Sequence, residues 1–117
     1  MIIYVAGKYS DPTWGGRTKH THEAIDAGIE IMKRGHYPVT PHLTHFIDER
    51  MDYLGEPERS KEYWYEFDNK IIPRCDALIR ISRSTGADAE LELAKKLGLK
   101  IYSKIEDIPY ETSTKTI

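Results

Sequence analysis

The sequence predicts an α/β fold, Rossmann-like (flavodoxin-like), with a mostly parallel sheet of four to five strands and helices on both faces. Three observations carry this. The run Ile2–Ala6 is wholly apolar and closes on Gly7, the pattern of a strand buried on both sides. Short apolar runs then alternate with helix-length periodic segments, the signature of βαβ units. The 117 residues show no internal repeat and suit one compact domain able to bury a core.

After the first strand, residues 8–16 contain Ser10, Asp11, Pro12 and two glycines and read as a loop. From Arg17 to Arg34 the pattern is helical. At about 100° per residue, Ile25, Gly28, Ile29 and Met32 share one face, and Gly35 ends the helix. His36–Thr40 is a second strand stopped by Pro41. Residues 42–57 are polar, poorly patterned and long enough for a short helix. A helix over Ser60–Ile72, a strand over Ala77–Ile81, a helix over Gly86–Leu97 and a strand over Leu99–Tyr102 complete the domain, assigned to residues 1–105. Residues 106–117 read as an extended tail.

Hydrophobic residues make up 39% and charged residues 31%, with 17 basic against 19 acidic side chains and a net charge of −2. That balance argues against a nucleic-acid polymer as partner, since backbone phosphates call for a basic stripe, but leaves a small anion open. One cysteine, Cys75, excludes an intrachain disulfide. The first residues lack the regions of a signal peptide, and no apolar run is long enough to span a bilayer. The expectation is a cytoplasmic protein without membrane attachment.

In parallel sheets ligands sit at the carboxyl ends of the strands. The loops there hold the candidate substrate contacts: Gly7 and Tyr9 after the first strand, His42 after the second, and Ser84 and Gly86 after the third. Ser84-Thr85-Gly86 opens a helix whose first-turn amides can receive an anion, with Thr85 and Asp88 reading as a capping pair. His42 and His45 lack further ligands at zinc-like spacing, so no metal is expected. No Gly-x-Gly-x-x-Gly fingerprint follows the first strand, and no cofactor is expected.

The strongest signal is a carboxylate on the wrong face. With Ala87 at zero, Leu91, Leu93, Ala94 and Leu97 fill an apolar arc, and Glu90 falls inside it at about 300°. The preceding helix repeats the anomaly. With Trp64 at zero, Asp68 lies at about 40°, beside an arc of Tyr63, Phe67, Ile71 and Ile72. A first-turn carboxylate gains from the helix dipole on any side, and a buried Asp can serve a backbone amide, but inward placement costs desolvation. Paired inward carboxylates suit acid/base or nucleophilic work at an anomeric carbon. Tyr4, inside an aliphatic strand, needs a hydrogen-bond partner that Glu90 can supply.

Taken in order, Tyr4-Val5-Ala6-Gly7, Pro41-His42, Asp68 eight residues before Asp76, and Ser84-Thr85-Gly86-Ala87-Asp88-Ala89-Glu90-Leu91 resemble the nucleoside 2-deoxyribosyltransferase superfamily, which includes the 2′-deoxynucleoside 5′-phosphate N-hydrolases. The resemblance spans residues 2–102. It implies that Glu90 is the nucleophile toward C1′ of a nucleoside or nucleotide, that Asp68 assists the departing base and that Tyr4 orients Glu90. Ser84 stands where the hydrolase branch places a serine near a 5′-phosphate. The resemblance also implies a homodimer or larger homo-oligomer. One departure is the segment from Lys8 to Trp14, which separates Gly15-Gly16-Arg17 from the first strand by more than the hydrolases show.

Overall fold

The computed structural model describes residues 1–111. It is a Rossmann-like α/β fold with four strands, all parallel: β1 (Ile2–Ala6), β2 (Tyr37–Val39), β3 (Ala77–Arg80) and β4 (Lys100–Tyr102), in the order β2-β1-β3-β4. Four α-helices connect and cover them: α1 (Trp14–Lys33), α2 (His45–Leu54), α3 (Lys61–Ile71) and α4 (Thr85–Lys96), with short 3₁₀ turns at Pro41–Thr44, Ile72–Arg74 and Ile105–Asp107. The strand order reverses direction at β1, so the crevice at the carboxyl ends of β1 and β3 is the topological switch point.

The sheet has a core on each face. On one, Ile3, Val5, Ala77 and Ile79 pack against Ala24, Ala27 and Ile31 of α1; on the other, Tyr4, Ala6 and Leu78 pack against Ala87, Leu91 and Ala94 of α4. Each large aliphatic side chain so buried contributes about 1.5–3 kcal/mol relative to exposure.

Helix α1 corrects two expectations. It starts at Trp14 rather than Arg17, because Thr13 caps it by accepting the Gly16 amide at 2.9 Å. Its buried stripe is Thr21, Ala24, Ala27, Gly28 and Ile31, while Ile29 and Met32 are 45% and 61% exposed. Small residues let the helix lie close to the sheet: a Cβ on Gly28 would meet Thr40 Oγ1 at 3.2 Å. Close approach decided the face, not side-chain apolarity.

Helix α3 also departs from its pattern. It has no fully buried residue, and Tyr63 and Phe67 stand well out of the core. Within it Tyr63, Trp64 and Phe67 pack on one another, with ring centroids 5.1 to 6.4 Å apart. The unpatterned segment after β2 holds α2, which ends at Gly55 in the left-handed conformation (φ +74°).

From Glu106 onward the chain is folded back rather than trailing, as far as it is described. Ile108 enters the core beside α1, its carbonyl accepts from Arg34 at 2.9 Å, and the Pro109 carbonyl lies 2.6 Å from His36 Nε2. Residues 112–117 of the expected tail lie outside the described residues. No helix among the described residues is long and apolar enough to cross a membrane.

Candidate functional site

A cavity of about 420 Å³ opens at the switch point. Helices α3 and α4 bring Asp68 and Glu90 into its wall, β1 and its loop bring Gly7 and Tyr9, the turn after β2 brings His42, and the start of α4 brings Ser84 and Gly86. Seven of the eight residues singled out from the sequence therefore border one space. The eighth, Tyr4, lies fully buried beneath it, and its hydroxyl donates a short hydrogen bond to Glu90 Oε2.

Glu90 and Asp68 are half-buried and close enough for each to act on the other's charge. Burial is the main cause that lifts both above the usual carboxylate range, Glu90 to about 8 and Asp68 to about 6. Their mutual repulsion raises Glu90 further, while the Tyr4 hydroxyl opposes the rise by favouring the anion. Between these values the pair holds one proton. Tyr4 itself is pushed far above the ordinary phenol range by burial and by the adjacent carboxylates, so it remains a donor.

A buried proton on Glu90 has a thermodynamic signature. Its folded value of about 8 lies above the ordinary 4.5, so the stability tied to that proton is whole below 4.5 and is lost as pH rises through 8. Glu90→Gln does not titrate in that window. Its melting temperature should therefore gain on wild type between about pH 5 and pH 9, each kcal/mol being worth roughly 3–6 °C in a domain of this size. Parallel melting curves for the two proteins across that range would show that Glu90 holds no such proton.

At the β3 side of the cavity, the capping assignment needs correction. Ser84, not Thr85, is the N-cap: its backbone is extended (φ −161°) and its hydroxyl accepts the Ala87 amide at 3.0 Å. Asp88 does not reach back to close a capping box. It is held by Arg80 at 2.8 Å and Arg83 at 3.1 Å, two arginines to which the sequence assigned no role.

The start of α1 differs. Asp11 places its carboxylate there, accepting the Thr13 amide and hydroxyl at 2.9 and 2.8 Å. A Cβ on Gly16 would fall 2.1 Å from the Asp11 carboxyl carbon, so the glycine is what admits this side chain. Arg17 lines the cavity, stacks on Trp14 and meets Glu58 at 3.3 Å.

On the β2 side, the histidines are not solvated loop residues. His42 is 5% exposed, bonds the Gly7 carbonyl through Nε2 at 3.0 Å and leaves Nδ1 buried without a partner; burial holds its pKa low, so the ring is neutral. His45 is wholly buried against Tyr9 and Thr18. Asp48, 8% exposed and bordering the cavity, accepts from Tyr9 at 3.0 Å. Asp48 and His45 escaped sequence reasoning as site residues. Their only signal was a set of polar side chains at i and i+3 in a segment without apolar periodicity. Among the described residues no three imidazole, thiol or carboxylate groups converge as a metal site.

The molecule is thus a Rossmann-like α/β protein with a carboxylate pair and a buried tyrosine at its switch point. No protein-family model matches the chain, and no curated protein matches it.

Proposed function

We propose that this chain cleaves or exchanges the N-glycosidic bond of a nucleoside or its 5′-monophosphate, in the manner of the nucleoside 2-deoxyribosyltransferase superfamily it resembles. The observation that carries the reading is the Tyr4–Glu90–Asp68 constellation, two neighbouring carboxyl groups on the wall of a cavity with a buried tyrosine hydroxyl donating to one of them. Retaining glycoside chemistry needs such a pair, one member ionised to attack and the other protonated to assist.

At rest the two carboxyl groups hold one proton between them. Positive charge developing at C1′ beside Glu90 favours its anion, and the shared proton passes to Asp68. Glu90 then attacks C1′ as the base departs, Asp68 assists the leaving group, and the Tyr4 hydroxyl holds Glu90 in line. Water or a second base afterwards takes the sugar from Glu90. Gly7, Tyr9 and His42 border the cavity on the β1 and β2 sides, and Ser84 and Gly86 on the β3 side, where a 5′-phosphate meets the first-turn amides of α4.

Incubating the pure chain with a panel of nucleosides and monophosphates, and separating free base by chromatography, tests this directly. A second reading draws on the same proton: a Glu90 that stays protonated is a hydrogen-bond donor, and the site then binds a nucleotide without cleaving it. Thermal shifts by nucleotides without release of base would favour that reading. The resemblance also implies a homodimer or larger assembly, which sedimentation of the purified chain reads.

The phosphate preference carries its own prediction. One hydrogen bond to a charged group is worth roughly 1.5–3 kcal/mol, so Ser84→Ala should lower kcat/KM for a monophosphate about ten- to a hundredfold relative to its nucleoside. Because Ser84 is also the N-cap, the variant should lose about 1 kcal/mol of stability. Unchanged selectivity in a less stable variant would leave Ser84 with the cap alone.

A further inference from the structure

The β2 wall of the cavity contains a hydrogen-bonded chain that runs from the protein interior to the pocket: Thr18, His45, Tyr9, Asp48. Counting its protons fixes its chemistry. The Thr18 hydroxyl donates its only hydrogen to the Trp14 carbonyl at 2.9 Å. Its 3.1 Å contact with His45 Nε2 therefore requires an N–H at Nε2, which Glu49 Oε1 at 3.3 Å also favours. That leaves Nδ1, 3.0 Å from the Tyr9 hydroxyl, which in turn lies 3.0 Å from Asp48 Oδ2.

Tyr9 has one hydrogen for two neighbours, so with an N–H at Nε2 two arrangements satisfy every group. In the first, Asp48 is a carboxylate accepting from Tyr9, and protonated Nδ1 donates to the Tyr9 oxygen. In the second, Asp48 is a carboxylic acid donating to Tyr9, and Tyr9 donates to a neutral Nδ1. They have the same charge and differ by two protons, each moved across one hydrogen bond. His45 is wholly buried, so its Nδ1 proton has the Tyr9–Asp48 route to the pocket. The other charged groups facing the chain are Arg17 and Glu58 near Asp48, and Glu49 at both Tyr9 and His45.

We propose that His45, Tyr9 and Asp48 form a proton relay that loads Asp48 as an acid for the departing base, an inference that rests on the N-glycosidase reading. The sheet order supports the placement. The loops after β2 and β3 flank β1, so a ligand with its anionic end at α4 and its sugar at Glu90 extends its base toward Asp48. As the C1′–N bond breaks, its electron pair goes to the base. Asp48 gives its proton to a ring nitrogen on the base's outer edge, and Glu90 bonds to C1′; the proton taken from Glu90 stays on Asp68, which steadies the base by a hydrogen bond alone, and it returns when Glu90 is freed. When water later displaces Glu90, one of its hydrogens stays on the sugar hydroxyl and the other reloads the Asp48–His45 pair. Asp48 would touch the base; Tyr9 and His45 act through it.

The test compares two leaving groups on one sugar phosphate: the base of the monophosphate that wild type cleaves fastest, and 4-nitrophenolate, which departs without a proton. Tyr9→Phe removes a single hydroxyl and cuts the wire; Asp48→Asn removes the acid; melting curves confirm that both fold. Loss of a general acid is worth about a hundred- to ten-thousandfold. Asp48→Asn should lower kcat on the nucleotide by about that factor, and Tyr9→Phe by at least about tenfold, in each case at least about tenfold more than the same variant lowers nitrophenolate release. An equal fall on both substrates, or a change in KM alone, would overturn the relay. Cleavage of neither substrate by wild type would end the N-glycosidase reading and the relay with it.

Discussion

Glu90→Ala is expected to abolish base release, by on the order of 10⁴-fold or more, while the protein stays folded. Removing a nucleophile forces the reaction onto an unassisted route, and losses of about 10⁴–10⁶ accompany removal of such groups. The fold should survive, because Glu90 is a carboxyl group held half-buried at a desolvation cost, beside Ala87 and Leu91, which carry the packing of α4. Glu92→Ala, two residues on, is the control: that side chain is 66% exposed and pairs only with Lys95, and its loss should be almost silent. Turnover near wild type in a folded Glu90→Ala variant would remove the nucleophile assignment.

Asp68→Asn should lower kcat by about a hundred- to ten-thousandfold while ligand still binds. The substitution keeps the shape and the hydrogen-bonding capacity of the side chain but leaves no place for the shared proton to go. Glu90 then loses the neighbour that would accept its proton, and attack at C1′ is penalised twice, in the nucleophile and in the leaving group. Binding, measured by calorimetry on the folded variant, should change far less than kcat. If Asp68→Asn instead melts early and the folded fraction turns over normally, the carboxyl group is a structural one.

What could be read from the sequence depended on how strongly periodicity constrained each residue. Glu90 and Asp68 stood out because an apolar arc in a 3.6-residue repeat leaves no neutral place for a carboxylate, and Tyr4 because four aliphatic residues surround it. The parallel α/β fold followed from the same periodicities. Helix α1 misled because its packing face is built from Ala24, Ala27 and Gly28, which signal little apolarity but permit close approach. The cap at α4 was misplaced by one residue, since Ser84 and Thr85 are both good capping residues and only the extended backbone of Ser84 decides between them. His45 and Asp48 were illegible as site residues for a different reason. Their burial is created by Tyr9 and Thr18, which lie 36 and 27 residues from His45 in the chain, and no local pattern records such a contact.

The carboxylate that Asp11 lays across the start of α1 has a consequence for how a ligand is read. Two helix beginnings adjoin the cavity, through Ser10 and Arg17 at one and Ser84 to Ala87 at the other. Both would attract a negatively charged group. The first has Asp11 beside it, bonded to the Thr13 amide and hydroxyl, whereas the first-turn carboxylate of the second, Asp88, is held by Arg80 and Arg83. An elongated molecule with one charged end therefore meets a passage whose two mouths are not alike. It can enter head-first or tail-first, and the two directions meet different groups: Lys8 and Arg17, with Asp11 behind them, at one end, and the first-turn amides of α4 at the other. Polarity would thus be weighed at the rim, before the half-buried carboxylates are reached, by two ends that differ in how their charge is held.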